Sequence, residues 1–443
     1  MKGAIMKIVR SLRFLASFLT AATMVTGPAF AELPFEWQAG AASAVITPRT
    51  NMWMAGYAAR KKPSDGTAQD LFAKALALKD ETGKTLVIVT MDLIGVLPSL
   101  RQSLETKVKE RHGLPEQCLL LNASHTHCGP EYRARSGRES EAADYTAFLE
   151  ERLLGIVDGA LSKLSPARLL YAHAKCGFAM NRRKNYALPR GDPNASKAPN
   201  PDGPVDHDVP VLVVEGPNTN MVATLFGYAC HNTTLSAVSM TDNVPRFEFT
   251  GDYAGYAQET LQAGRPGLTA MFLAGCGADQ NPYPRHFMVP YVPPLEFARH
   301  HGRTLAMAVE AAMASHVRPV RGPIRAALEY IMLERPEPKP KSDGKKPDPK
   351  AARRYPVQVI RFGDDVSLIA LGSEVVVDYS LRLKRELSGR SIVWVAGYSN
   401  DYGGYIPSRR ILAEGGYEAA DYTPEIEEHI ISTVRRLHDG TAR

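Results

Sequence analysis

The sequence lacks most of the short motifs that announce a reaction. It has no Gly-x-Ser-x-Gly elbow, no His-Glu-x-x-His pair, no Gly-x-x-x-x-Gly-Lys loop and no complete Gly-x-Gly-x-x-Gly, which removes the simplest readings as a serine hydrolase, a zincin, a nucleotide hydrolase or a dinucleotide enzyme. Gly275 to Gln280 begins like the last of these but carries Gln280 where the third glycine belongs, so it reads as a tight turn. A surplus of one charge is also missing once the first residues are set aside. Lys2, Lys7, Arg10 and Arg13 lie in residues 1–31 with no acidic residue, leaving 49 basic against 47 acidic residues. With a net charge of only +2 and no Arg/Lys stripe, nucleic-acid binding has no electrostatic support. Cysteine is scarce and odd in number: Cys118, Cys128, Cys176, Cys230 and Cys276 do not make a disulfide framework and leave room for one or two bridges. Although Cys128 and Cys230 adjoin histidines, the plainer reading is a small buried apolar residue.

Long apolar runs are few. The stretch from Phe14 to Val25, preceded by the four basic residues and followed by Ala29-Phe30-Ala31, reads as a secretory signal peptide over 1–31. Cleavage near Ala31 makes the mature chain periplasmic or secreted. No later run approaches the roughly 18 to 20 residues of a spanning helix, so membrane contact is at most peripheral.

What remains, 32–443, reads as a single domain with no internal repeat. The one break in composition is Arg335 to Arg354, where Pro, Lys and Asp alternate without an apolar face, predicting a solvated loop. Short β-branched or apolar runs predict strands at Thr85–Val89, Cys118–Leu121, Val209–Val214, Val222–Phe226, Ala270–Leu273, Val366–Leu371 and Ile392–Val395. Helical patterns fall between them, at Ser99–Arg111, Ala143–Leu164, Tyr253–Gln262, Leu295–Ser315 and Pro424–Leu437. This mixture predicts an α/β fold of layered mixed sheets with packed helices, its site in loops at strand ends.

Ligand-type side chains follow those strands. Leu119-Leu120-Leu121 runs toward His125 and His127, Thr224-Leu225-Phe226 toward His231, and Ser367 to Ala370 toward Glu374. Val393-Trp394-Val395 leads to Tyr398, Asn400, Asp401, Tyr402 and Tyr405. Hydrolytic zinc needs about three or four N or O donors and one open position, which His125, His127, His231 and Glu374 can supply. On an extended segment the two histidines of His-x-His would share a face.

The segment Ala123-Ser124-His125-Thr126-His127-Cys128-Gly129-Pro130 resembles a tag of the neutral, non-lysosomal ceramidases. Met54-Ala55-Gly56-Tyr57, Asn181-Arg182, Ala229 to Thr233, Gly372-Ser373-Glu374 and Tyr402 to Ile406 are similar to further family segments in family order, with Tyr417 twelve residues after Tyr405. The resemblance implies one zinc ion per chain, bound by His125, His231, Glu374 and Tyr405. It implies a general acid/base at His127 and stabilisation of the oxyanion by Arg182 and Tyr417. Two departures stand out. The family's Gly-Asp-x-Ser-Pro loop is Ala278-Asp279-Gln280-Asn281-Pro282 here, which removes the hydroxyl, and the family's C-terminal β-rich domain is expected to be absent.

The expected activity is therefore exported, zinc-dependent hydrolysis of the N-acyl amide of ceramide or a related lipid by zinc-activated water. Two alternatives stay open: a zinc hydrolase of a smaller amide or ester, and a non-catalytic binding protein that keeps the fold. Phe287 to Leu295 could form an apolar rim for an acyl chain or pack as an ordinary loop.

Overall fold

The computed structural model describes residues 34–184, 198–235, 239–241, 244–285, 292–336, 351–389 and 391–442. The signal segment 1–31 lies outside them, as do residues 287–291 of the expected rim and 337–350 of the expected loop.

Two sheets stack face to face, and helices cover both outer faces. The larger has nine strands. Along its main path it runs Thr269–Ala274, Met221–Tyr228, Asp208–Glu215, Ser165–Lys175, Trp37–Val45, Phe72–Lys79, Thr85–Met91 and Leu119–Ala123, with Arg318–Val320 added alongside Ser165–Lys175. It is mixed: Thr85–Met91 runs parallel to Leu119–Ala123, and Thr269–Ala274 parallel to Met221–Tyr228, while its other pairs are antiparallel. The second sheet orders Ile324–Leu333, Arg353–Phe362, Val366–Leu371 and Ile392–Ala396, the last pair parallel. Between the sheets lies an apolar core, with Leu78, Ile88, Leu225 and Met271 from the larger meeting Ile360, Leu368 and Trp394 from the smaller. Its closeness shows at Gly227, where an added Cβ would sit 2.7 Å from Trp394 Nε1.

Helices Pro98–His112 and Glu139–Ser162 pack on the outer face of the larger sheet. Val377–Leu387 and Ile426–Gly440 pack on that of the smaller. The first of these helices shows local chemistry setting both ends. Pro98 stands in its first turn, where a missing N–H costs nothing, and Gly113 closes it in the left-handed region at φ 65°, donating its N–H to Lys109 O. Among the described residues no helix is long and apolar enough to cross a membrane.

Every expected strand and helix is present. One expectation needs correcting at its edge: Arg353 and Arg354 are not part of a solvated loop. They pair with Leu333 and Met332 as the start of a strand, and Arg353 turns inward to Asp401, Ser373 Oγ and the Gly403 carbonyl. At the far end of the expected rim, Leu295 is buried in the helix Pro294–Ala314.

Candidate active site

The site forms where parallel strands from both sheets end together. Asn122, the penultimate residue of Leu119–Ala123, ties these ends: its amide donates to Gly397 O and Ser399 Oγ, and its carbonyl oxygen accepts from Ala274 N. Asn400 does the same one layer away, accepting from Leu121 N and donating to Gln358. Beyond these ties the backbone departs from extended geometry. His125, Ser373, Tyr398 and Asn400 all adopt positive φ, between 49° and 63°. Side chains with a Cβ rarely take that conformation, and its concentration here is the kind of local strain that functional sites hold.

His125 and His127 are thus not two residues of an extended segment sharing a face, as their spacing suggested. The turn at His125 brings them together instead, with rings edge to face at 4.8 Å. His125 Nε2 lies 3.2 Å from His231 Nε2, 3.1 Å from His127 Nε2 and 3.3 Å from Glu374 Oε2, and His231 Nε2 lies 3.5 Å from the same oxygen. His125, His231 and Glu374 are buried, and His127 is partly so.

The other ring nitrogens decide the chemistry. His125 Nδ1 is 2.6 Å from Ile94 O and His231 Nδ1 is 2.8 Å from Gly277 O. A carbonyl oxygen can only accept, so each Nδ1 carries a proton, and in a neutral imidazole Nε2 is then left with a lone pair. Burial, and then the Arg182 charge, push His231 down to about 4, which keeps that lone pair free at neutral pH. When both rings are neutral, their Nε2 atoms and the carboxylate oxygen repel one another, and a cation at their centre offsets that repulsion. Metal-binding histidines characteristically donate their second N–H to a carbonyl in this way. The three imidazoles can hold a metal ion, their ligand atoms all lying within 4.8 Å of one another.

His127 differs. Its Nδ1 is buried with no hydrogen-bond partner among the described residues, and its ring rests against Tyr57 at 4.9 Å and against Gly56, where an added Cβ would come within 2.5 Å. Burial, then the neighbouring histidines, hold its pKa well below the ordinary value.

Behind the carboxylate stands a second cluster. Glu374 pairs in register with Tyr405 on a short parallel ladder. The Tyr405 hydroxyl accepts from Arg182 Nη2 at 3.1 Å, and the Arg182 guanidinium lies 5.7 and 5.6 Å from the Tyr405 and Tyr417 ring centres. Arg182 follows the strand Ala179–Asn181, which pairs with Gln280–Pro282. It donates Nη1 to Asn281 Oδ1 at 3.3 Å and Nε to Glu418 Oε1 at 2.8 Å. Asn281 therefore serves as an acceptor for the arginine. A cavity of about 460 Å³ opens onto His125, His127, Glu374, Tyr405 and Tyr417.

Tyr398, one of the residues expected after the strand ending at Val395, stacks on His125 at 4.4 Å. One contributor was not singled out by the sequence. Glu418, only 1% exposed, fixes both Arg182 and Arg183. Adjacency to Tyr417 was its one available signal. All five cysteines are buried free thiols, with no part in the ligand cluster.

The model of the neutral/alkaline non-lysosomal ceramidase N-terminal region matches residues 37–268. No curated protein matches the chain. Among solved structures, the neutral ceramidase from Pseudomonas aeruginosa is similar with a TM-score of 0.74 at 17% identity, covering 92% of this chain and 75% of that one. A ceramidase complexed with C2 gives 0.75 at 17% identity over 93% and 75%. At such identity the likeness of structure speaks for the fold, and the family match carries the assignment. Spanning more than half of the residues, it shows that this chain belongs to the neutral/alkaline non-lysosomal ceramidase family.

Proposed function

We propose that the chain is an exported, zinc-dependent amidohydrolase that cleaves the N-acyl amide of ceramide or a related N-acyl lipid. The observation that carries this reading is the convergence of the His125 and His231 Nε2 atoms and the Glu374 carboxylate, with both Nδ1 atoms within hydrogen-bond distance of carbonyls. In this reading His125, His231, Glu374 and Tyr405 hold one zinc ion. Bound there, zinc supplies a Lewis acid able to make water nucleophilic near neutral pH.

The remaining residues have distinct work. Attack of water on the amide carbon leaves negative charge on the carbonyl oxygen, and Arg182 and Tyr417 donate hydrogen bonds to it. Glu418 and Asn281 hold the Arg182 plane still for that task. His127, neutral because it is buried, accepts the proton of the attacking water and returns it to the amine nitrogen as the C–N bond breaks. Its unheld Nδ1 suits a ring that exchanges protons, as opposed to one fixed as a ligand. Asn281 lacks a hydroxyl, so no acyl-enzyme forms at that position.

A smaller amide as substrate is favoured by one feature, the modest cavity with arginines on its wall. The test is hydrolysis of N-acyl substrates of graded chain length, with chelator and with zinc restored. Chelator-sensitive cleavage that zinc restores is expected, and full activity in chelator would refute the reading.

A further inference from the structure

The wall of the catalytic cavity away from the histidines is built from arginine. Arg60, Arg133, Arg135 and Arg138 face it, and among the described residues its only carboxylates are Glu131 and Glu374. Glu374 belongs to the candidate metal cluster. Glu131 is already committed: its two oxygens accept from Arg133 in the two-pronged arrangement, and one of them also accepts from Arg135 at 3.1 Å. Burial works against its charge, yet Arg133 outweighs burial and holds the carboxyl below its usual range. The mouth thus presents more guanidinium than carboxylate.

Arg138 is the clearest case. Its guanidinium carbon lies over the Trp53 ring, 4.4 Å from the ring centre, and no carboxylate pairs with it among the described residues. Arg133 is set in the same way over Tyr402 at 5.0 Å. Contact with an aromatic face holds a guanidinium in place without using its N–H donors, which can then recognise an oxyanion through two parallel hydrogen bonds. A neutral diol or alcohol entering this cavity would displace water from these cations without matching their charge, whereas an anion would match it.

We propose that the preferred substrate is an N-acyl amide with an anionic group, a carboxylate, sulfonate or phosphate, held at the cavity mouth by Arg135 and Arg138. The proposal rests on the amidohydrolase reading for its chemistry and extends it to the substrate class. The anion is a recognition element and takes no part in bond cleavage.

The test compares water-soluble substrates that differ only in charge: N-octanoyltaurine and N-octanoylglycine against N-octanoylethanolamine, with ceramide 1-phosphate against ceramide as the lipid pair. The anionic member of each pair should show a kcat/KM about tenfold higher, carried by KM, and the advantage should shrink as salt rises. Which member leads tells a carboxylate or sulfonate from a phosphate. In the doubly substituted R135Q, R138Q protein the ratio between charged and neutral members should fall toward one. Calorimetric titration with the octanoyl compounds reads the same preference as affinity, so the inference is tested even if no amide is cleaved. Absence of cleavage with retained anion preference would sink the hydrolase reading alone. Equal kcat/KM and equal affinity for charged and neutral members would overturn the inference. So would a preference that the double substitution leaves unchanged, or arginine dependence confined to binding of anionic vesicles.

Discussion

Replacing Glu418 by glutamine tests whether one buried carboxylate organises the arginine side of the site. The side chain keeps its shape and loses its charge, so packing is preserved and the electrostatic change is isolated. Glu418 is 1% exposed and meets Arg182 Nε at 2.8 Å and Arg183 through its other oxygen. Arg183 retains Glu414 at 3.0 Å, a partner with side-chain exposure of 24%. Arg182 keeps only neutral acceptors, Asn281 and Tyr405. Leaving a buried charge without its counter-charge typically costs about 3–5 kcal/mol. At roughly 2.1 cal/mol/K of unfolding entropy per residue over some 410 residues, 4 kcal/mol corresponds to a Tm lower by about 5 °C. The facing arginines hold the Glu418 carboxyl below its usual range against the opposing effect of burial. Its contribution is therefore complete above the unfolded pKa of about 4.3 and fades as pH falls through the lower folded value. Calorimetric melting of both proteins at pH 7 and near pH 3 should give a gap that narrows in acid. A gap under about 1 °C at pH 7, or one that widens in acid, would refute the reasoning. Turnover should fall as well, about tenfold, because Arg182 is no longer held by a charged partner.

Three further outcomes are expected. His231→Ala should lose metal and activity together, whereas His127→Ala should keep most of the metal and lose about 10² to 10⁴ in kcat; elemental analysis beside kinetics separates them, and equal metal loss would make His127 a ligand. Gly56→Ala should displace the His127 ring, because the new Cβ would stand 2.5 Å from it at a backbone φ of 93°, so turnover should drop while metal content holds. Asn281→Ala should cost at most about tenfold in rate, the worth of one hydrogen bond of roughly 0.5–1.5 kcal/mol, and mass spectrometry after rapid quenching should find no acyl adduct in either protein.

Strands made of β-branched and leucine runs, such as Thr85–Met91 and Val366–Leu371, were legible because residue type and burial agree there. Trp37–Val45 was not, being rich in alanine, which favours helix when read alone. Tertiary packing decides it. The helix Glu139–Ser162 lies so close that a Cβ on Gly40 would be 2.2 Å from Ala160 O, and small residues on that strand make the approach feasible. That His125, His231 and Glu374 come together was legible from their positions after strands, but the turn that joins His125 to His127 was not, since a positive φ at histidine leaves no mark in the sequence. Glu418 meets Arg182 and Arg183 from more than 230 residues away, which no local pattern encodes; Arg133, Arg135 and Arg138 are neighbours in the chain, but the aromatic faces of Tyr402 and Trp53 beside two of them are remote.

Diffraction at the zinc absorption edge from crystals of the purified protein tests the central claim most directly. The account predicts one anomalous peak within about 2.0–2.2 Å of His125 Nε2, His231 Nε2 and a Glu374 oxygen. No peak at that point in active protein, or a peak bound by other residues, would contradict it.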